Sequence, residues 1–300
     1  MTAPHLALMV LVNLAWSLNF IAVKLSVADL PPILTNALRF SLVLILLLPV
    51  LRPIAGQMRQ VMLVAFLLGV VHFGTAFVGL WLADDVAPIA IAVQTNVAFA
   101  TVLAVLFLGE RVGWRRVVGL AFSFGGVVVL SFDPRIVAYL DAVAFVLVSA
   151  FVFAVCAILM RRLNDVPPLT LQAWIAMAAV PGSLILSAAV ERDQIAALQN
   201  AGWLAYGGVV YSAIAASIVG HGGMYYLLQR YPVSVVSPYT LMTPLMTVVA
   251  SITLLGETLT WRMTLGGLIT MVGVTIITLR DARRGAPSTF REEASMKVQP

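Results

Sequence analysis

Charged residues are scarce in this chain, and cysteine and histidine are scarcer still. Only 10% of its 300 residues are charged while 61% are hydrophobic, and the mean hydropathy is +1.02. A soluble domain of this size cannot bury so much apolar surface, so the lipid bilayer must be the solvent. A single cysteine, Cys156, excludes an intramolecular disulfide, and the three histidines have no metal-ligand spacing.

Catalytic motifs are also missing. The chain contains no G-x-S-x-G or Walker A sequence, which argues against a membrane enzyme and against a cofactor. No Asp or Glu lies near the middle of an apolar run, where proton- and sodium-coupled carriers often place one. We therefore expect no enzyme activity and, for a carrier, facilitated transport or weak coupling through a histidine. A channel remains an alternative, although it would usually need a selectivity ring built by an oligomer.

Long apolar runs are what the sequence does contain. Each is long enough to cross the hydrocarbon core as a helix. Lipid offers no hydrogen-bond partners to the backbone, and a helix satisfies these groups within the segment itself. We predict an all-α membrane protein. Its ten transmembrane spans, numbered in chain order, lie near 6–23, 33–51, 61–83, 86–109, 117–132, 142–160, 166–190, 200–229, 232–256 and 263–279.

Spans 4 and 9 share one ending. Residues 108–115 read LGERVGWR, and residues 255–262, which begin 147 positions later, read LGETLTWR. The same offset pairs glycines of spans 5 and 10, Gly119 with Gly266 and Gly126 with Gly273. The duplication predicts two five-span repeats, 5–133 and 140–280, followed by a disordered tail at 281–300.

The net charge of +5 is explained by topology and gives no reason to expect nucleic-acid binding. With a cytoplasmic N-terminus, thirteen Lys and Arg residues fall on the cytoplasmic side and four on the opposite side. This bias predicts that both termini are cytoplasmic. Because each repeat has an odd number of spans, the second repeat must be inverted relative to the first, an arrangement typical of alternating-access carriers.

Several motifs resemble the drug/metabolite transporter superfamily, specifically its EamA-type ten-helix members and, among these, bacterial amino-acid exporters of the YddG type. The resemblance covers about residues 5–280. It is carried by the doubled Leu-Gly-Glu ending, by Ala15-Trp16-Ser17-Leu18-Asn19-Phe20 with Lys24, by Arg39-Phe40, and by Ser237-Pro238 with Pro244.

The resemblance implies a bacterial inner-membrane carrier that exports small metabolites, with amino acids (aromatic or other neutral ones) as the first expectation. Spans 1, 3, 4, 6, 8 and 9 would surround a central cavity, spans 2 and 7 would flank it, and spans 5 and 10 would brace the outside. Purines, sugars, and amines or drugs remain alternative substrates, and uptake remains an alternative direction. A monomer would suffice, and a homodimer stays open.

Polar residues within the spans are the candidate substrate contacts. A polar stripe runs along one face of span 9, a His and two hydroxyl residues follow each other at i, i+4 and i+8 in span 8, and span 1 offers an indole beside an amide. Close helix packing explains the hydroxyl stripe equally well. The predicted substrate-binding residues are Trp16, Asn19, His72, Gln94, Asn96, Ser217, His221, Tyr225, Ser237, Thr240 and Thr243.

Two other groups of residues receive non-binding roles. Glycines and prolines in spans 8 and 9 are candidate hinges, namely Gly220, Gly222, Gly223, Pro238 and Pro244. Arg39, Glu110 and Glu257 are predicted to be structural. For Arg39 we expect an ion pair with Asp29, Asp84 or Asp85, or snorkelling toward the interface.

Overall fold

The computed structural model describes residues 1–108, 113–160, 162–163, 165–228, 230–231 and 233–284, without the side chains of residues 225, 233, 234, 237 and 280–284. Within these residues ten helices are long and apolar enough to cross a membrane, which confirms the predicted all-α membrane fold with ten spans. Spans 1 to 10 are Ala3–Asp29, Pro32–Val50, Met58–Leu82, Val86–Phe107, Trp114–Ser131, Leu140–Met160, Pro168–Val190, Trp203–Leu228, Pro238–Leu255 and Trp261–Leu279.

Three short helices connect or extend these spans. Pro134–Val137 lies between spans 5 and 6, Gln194–Asn200 lies between spans 7 and 8, and Val233–Val236 precedes span 9. The last helix continues to Arg284, beyond the predicted start of the tail at residue 281. The remainder of the predicted tail lies outside the described residues.

Spans 3 and 8 each contain a π-helical segment. In span 3 it covers Leu67–His72, and in span 8 it covers Ser212–Gly220. The two segments overlap when residue numbers are shifted by the repeat offset of 147. Short π segments inside α-helices redirect carbonyl groups and are frequent at functional sites.

Spans 4 and 9 are irregular as well. Span 4 consists of two α-helices, Val86–Val93 and Thr95–Leu108, separated at Gln94. Span 9 begins with a 3₁₀ segment, Ser237–Leu241, before its α-helix. Under the same offset, Gln94 corresponds to Leu241, so both spans change their helical geometry at equivalent positions.

Spans 5 and 10 pack with their backbones in contact. A Cβ atom on Gly126 would lie 2.6 Å from the carbonyl oxygen of Gly266, and a Cβ atom on Gly119 would lie 3.0 Å from that of Gly273. Numbers rise along one span as they fall along the other, so the two spans are antiparallel. The contacts are reciprocal, because a Cβ atom on Gly266 would meet the Gly126 carbonyl oxygen and one on Gly273 would meet that of Gly119.

Spans 2 and 7 form a second antiparallel pair. The Asn36 side-chain amide donates to Ser183 Oγ at 2.9 Å, and these two residues are separated by the repeat offset. At the end of span 7, the Glu191 carboxylate accepts from the backbone N–H groups of Ile33 (2.7 Å) and Leu34 (3.0 Å). A carboxylate at a helix start satisfies donors that have no partner inside the helix.

The Leu-Gly-Glu ending of span 9 has two structural roles. Gly256 has φ +70°, the left-handed conformation that ends a helix, and the N–H of Glu257 donates back to the Ser251 carbonyl at 3.3 Å. The Glu257 carboxylate then accepts from the N–H groups of Val86 (2.6 Å) and Ala87 (3.1 Å) at the start of span 4. The motif therefore terminates one helix and caps another.

Candidate substrate site

A buried arginine lies where spans 2, 3 and 8 meet. Arg39 is 1% exposed and donates from Nε and Nη2 to the hydroxyl of Ser217, over 3.2 and 3.0 Å. The guanidinium carbon lies 4.6 Å from the ring centre of Phe73, 5.2 Å from that of Phe40 and 5.7 Å from that of Phe77. A cation over aromatic faces is attracted by the ring quadrupoles.

The prediction that Arg39 pairs with a nearby carboxylate or snorkels is wrong. Two of the three carboxylates proposed as partners are engaged at the helix ends, where Asp29 accepts from the Gly202 N–H and Asp85 from the Tyr139 hydroxyl, and the third, Asp84, is exposed. Arg39 lies two helical turns inside span 2 and is almost fully buried, which also excludes snorkelling to the interface in this conformation. The positive charge is therefore held by a neutral hydroxyl and aromatic rings.

His72 joins span 3 to span 6. Its Nδ1 lies 2.9 Å from the Ser149 carbonyl oxygen and 2.8 Å from the Ser149 hydroxyl, and that hydroxyl is 3.0 Å from the His72 carbonyl. A proton on Nδ1 satisfies this arrangement, because the hydroxyl can then donate to the carbonyl. The ring also contacts Phe153, with centroids 5.2 Å apart. Nε2 is left as the nitrogen that a ligand can engage.

His221 and Trp16 meet at one backbone carbonyl. His221 Nδ1 lies 2.9 Å from the carbonyl oxygen of Ala216 in the π segment, and the Trp16 indole N–H donates to the same oxygen at 3.3 Å. The two rings are edge-to-face, 5.5 Å apart. Gly220 makes this approach possible, since a Cβ atom there would lie 2.4 Å from the indole nitrogen.

Together these residues form what we call the central cluster: Trp16, Arg39, His72, Ser149, Ser217 and His221. Arg39 and His72 both contact the ring of Phe73, and Ser217, which accepts from Arg39, precedes His221 by one helical turn. The cluster joins spans 1, 2, 3, 6 and 8, and so draws on both repeats. One cation, two imidazoles and a surrounding aromatic lining suit a small molecule with an anionic end and an apolar body.

The polar stripe of span 9 faces span 1. The Thr243 hydroxyl donates to the side-chain oxygen of Asn13 at 2.7 Å, and Thr247, fully buried, bonds back to the Thr243 carbonyl at 2.9 Å. Thr240 is half-buried in the 3₁₀ segment. Between helices, such hydroxyl contacts stabilise packing. The structure therefore gives Thr243 a helix-packing contact outside the central cluster.

The other predicted contacts are not brought into the central cluster by the hydrogen bonds and ring contacts described above. Asn19, Gln94 and Asn96 are half-buried. The Asn19 side-chain oxygen is inaccessible and has no hydrogen-bond partner in the described part of the chain. The side chains of Tyr225 and Ser237, and the whole of Glu110, lie outside the described residues.

The predicted hinges occupy different environments. Gly220 ends the π segment, whereas Gly222 and Gly223 lie in the regular helix that follows. A Cβ atom at Gly223 would lie 2.8 Å from Val12, while one at Gly222 would meet nothing within 4 Å. Pro238 lies in the 3₁₀ segment, and Pro244 is buried in the regular α-helix of span 9.

Sequence reasoning missed the aromatic rings around Arg39. Phe73 directly follows His72, and Phe77 lies one helical turn further along span 3, so both rings reach the guanidinium. An arginine in one apolar span and two phenylalanines at i and i+4 in the next is a usable signal for such a contact. It was the only signal available, because the partner hydroxyl lies 178 positions away in span 8.

A group of charged residues surrounds the turn between spans 3 and 4. Lys24 of span 1 donates to the carbonyls of Leu80, at 3.1 Å, and Ala83. Burial raises the pKa of Asp85 above its ordinary value, and Glu257 raises it further, against the opposing hydrogen bond from Tyr139. Burial, followed by the charge of Asp85, also raises the pKa of Tyr139.

The raised pKa of Asp85 predicts a pH-dependent stability. The folded protein holds the Asp85 proton more tightly than the unfolded chain, so stability falls as pH rises from the ordinary value of 3.8 through the raised one. We expect Asp85→Asn to raise the unfolding temperature of the detergent-purified protein at pH 7, by an amount that shrinks toward pH 4. The exposed neighbour serves as the control in Asp84→Asn. An Asp85→Asn effect that does not vary with pH would contradict this reading.

The sequence matches a known family model and several known proteins. Residues 4–132 and 140–279 each match the model of the EamA-like transporter family. An uncharacterized transporter of Archaeoglobus fulgidus is 30% identical over 270 residues, which is 87% of this chain and 94% of that protein.

Two bacterial relatives carry a more specific description. Proteins of Escherichia coli K12 and Salmonella typhimurium, each named a probable amino-acid metabolite efflux pump, are 27% and 28% identical, over 90% of this chain and 93% of theirs. A solved crystal structure at 19% identity matches 95% of this chain and 99% of that one with a TM-score of 0.60, and so has the same fold.

Proposed function

Because the chain belongs to the EamA-like transporter family, we propose that it exports small metabolites, amino acids first, across a bacterial inner membrane by alternating access. The central cluster is the observation that carries the proposal. It places a cation, two imidazoles and an indole inside an otherwise apolar bundle, at the junction of spans from both repeats. The two relatives named as amino-acid metabolite efflux pumps support the choice of substrate class.

The proposed mechanism uses two inverted repeats with both termini cytoplasmic. Support for inversion comes from the antiparallel contacts between repeat-equivalent spans 2 and 7 and spans 5 and 10, and from the reciprocal glycine contacts. The distribution of Lys and Arg supports the orientation. Tilting one set of spans against the other would expose the central cluster to each side in turn.

The irregular segments are the proposed points of bending. They occur in spans 3, 4, 8 and 9 at repeat-equivalent positions, two of them beside the central cluster. At one end of the bundle, Glu257 joins span 9 to span 4 and Lys24 joins span 1 to span 3. Opening toward that end requires that these contacts break, while the glycine-packed spans 5 and 10 stay together.

Flux through the purified protein tests this proposal. Proteoliposomes would be offered labelled amino acids, purines and sugars, each with and without a pH gradient, beside protein-free vesicles. We expect flux of amino acids alone, without any need for the gradient, since no carboxylate was found near the middle of a span in the sequence. Flux of another class only would reject the proposed substrate, and a strict proton requirement would reject facilitated transport.

A further inference from the structure

Among the described residues, no carboxylate contacts the guanidinium of Arg39 to balance its charge. Its side chain is 99% buried, and the described partners of the guanidinium are one serine hydroxyl and three phenylalanine rings. The Nη1 atom is buried and donates to no atom of the described residues. Burying a cation without an anion is costly, and the neutral partners stabilise only part of it. An arginine kept in this position is therefore better explained by a ligand than by packing.

The hydrogen bonds leave one edge of the guanidinium for that ligand. Nε and Nη2 both donate to Ser217 Oγ, which in turn donates to the Ser212 carbonyl at 3.0 Å. The serine thus occupies the side of the planar guanidinium that carries Nε and Nη2. The opposite end, where Nη1 and the second N–H of Nη2 point, stays available. Two parallel N–H groups at the end of a guanidinium match the two oxygens of a carboxylate.

The neighbours of Arg39 narrow the range of ligands that would fit beside it. Three phenylalanine rings around the guanidinium disfavour a strongly hydrated polyanion and favour a monoanion with an apolar body. His72 contacts Phe73, one of the rings beside the guanidinium, and His221 lies one helical turn after Ser217, so an imidazole nitrogen near Arg39 can accept from an ammonium group. A neutral amino acid combines these features, since it has a carboxylate, an amine and an apolar side chain.

Access to Arg39 depends on the two π segments. Ser217 lies within the segment Ser212–Gly220, and Phe73 directly follows the segment Leu67–His72. Arg39 is inaccessible in this conformation, and two of the groups that contact its guanidinium, Ser217 and Phe73, lie in or directly after a π segment. Rearranging either segment would change these contacts and give access to the guanidinium without unfolding span 2.

We infer that Arg39 binds the carboxylate of the transported molecule through the Nη1 end of its guanidinium, so that the site selects small carboxylates over the corresponding amides, which lack the negative charge. The inference rests on the proposed function, which it makes more specific. It changes the role of Arg39 from the structural one predicted from the sequence to a substrate contact.

Matched acids and amides test the inference. Proteoliposomes of the full chain would be offered L-phenylalanine and L-phenylalaninamide, and also 3-phenylpropionate and its amide, which lack the amine. The variants are Arg39→Gln, Arg39→Lys and, as a control that removes an exposed arginine, Arg192→Gln. Thermal stabilisation of the detergent-purified wild type by each compound is measured in parallel.

The wild type and Arg192→Gln should favour the acid over the amide by about tenfold or more, as expected for a charge-assisted bidentate contact. Arg39→Gln should lose acid transport by a similar factor while keeping amide transport, and Arg39→Lys should fall between them. If Arg39 had a purely structural role, Arg39→Gln would lower the transport of acid and amide by the same factor. That result would overturn the inference. If Arg39→Gln does not fold, the inference is tested by the ratio of acid to amide transport in the wild type and in Arg39→Lys.

Failure of the inference can be told apart from failure of the proposed function. Equal transport of phenylalanine and its amide by the wild type would keep the amino-acid carrier and reject Arg39 as its carboxylate contact. Transport of 3-phenylpropionate without any amino acid would reject the proposed substrate and keep the inference. Transport of uncharged metabolites alone would reject both.

Discussion

Gly126→Val should separate spans 5 and 10 and lower the unfolding temperature of the protein by about 6–12 °C, which corresponds to about 3 kcal/mol of overpacking. The reason is that a Cβ atom at this position would lie 2.4 Å from the backbone nitrogen of Thr270 and 2.6 Å from the Gly266 carbonyl oxygen. Backbone atoms cannot move aside as a flexible side chain can. Small residues allow this approach between membrane helices, where packing replaces the hydrophobic effect as the driving force.

The neighbouring glycine is the matched control for this experiment. A Cβ atom at Gly125 would meet nothing within 4 Å, so Gly125→Val should leave the unfolding temperature close to that of the wild type. Gly273→Val should behave like Gly126→Val, because a Cβ atom there would lie 2.3 Å from the Ser123 nitrogen in the reciprocal contact. Equal losses for residues 125 and 126 would show that the close approach of the backbones does not matter.

Gly220→Ala should reduce the initial rate of transport about tenfold, which is the effect of about 1.4 kcal/mol on binding, while the protein still purifies. The added methyl group would lie 2.4 Å from the Trp16 indole nitrogen. The ring would have to leave its hydrogen bond to the Ala216 carbonyl and its contact with His221. The central cluster would then lose the indole ring of Trp16.

Gly222→Ala separates packing from hinge motion at this site. Both glycines are predicted hinges, and at either position alanine favours the helical conformation over glycine by about 1 kcal/mol. A Cβ atom at Gly222 meets nothing within 4 Å, so the packing explanation predicts near-normal transport. Comparable losses in the two variants, measured as initial rates per amount of reconstituted protein, would show instead that helix flexibility is what transport needs.

The ten spans could be predicted from the sequence because their signal is compositional. Long continuous apolar runs in lipid form helices, so hydropathy located the ten spans with bounds that differ by at most six residues. The doubled Leu-Gly-Glu ending was equally visible, and its physical basis at Gly256 and Glu257 is a helix cap that also caps span 4. The glycine register of spans 5 and 10 was found as a repeat, yet its function as a backbone contact became clear only from the structure.

The interior of the bundle was harder to predict, since lipid-facing and core-facing residues are both apolar. Without an amphipathic pattern, the sequence does not say which face of a span points inward. Thr243 was therefore assigned to the cavity, although its hydroxyl bonds Asn13 of span 1. The contact between Arg39 and Ser217 could not be predicted, because Ser217 lies in a π segment, which no local sequence pattern specifies, and 178 positions separate the two residues.

Counterflow tests the central claim of a carrier with one site open to alternate sides. Proteoliposomes loaded with unlabelled L-phenylalanine would be diluted into a trace of the labelled amino acid, beside vesicles of the same protein loaded with buffer. A carrier predicts that label accumulates transiently above its external concentration in the loaded vesicles alone, because exchange through the site draws it inward. Equal, monotonic entry of label into both kinds of vesicle would indicate a channel and contradict alternating access.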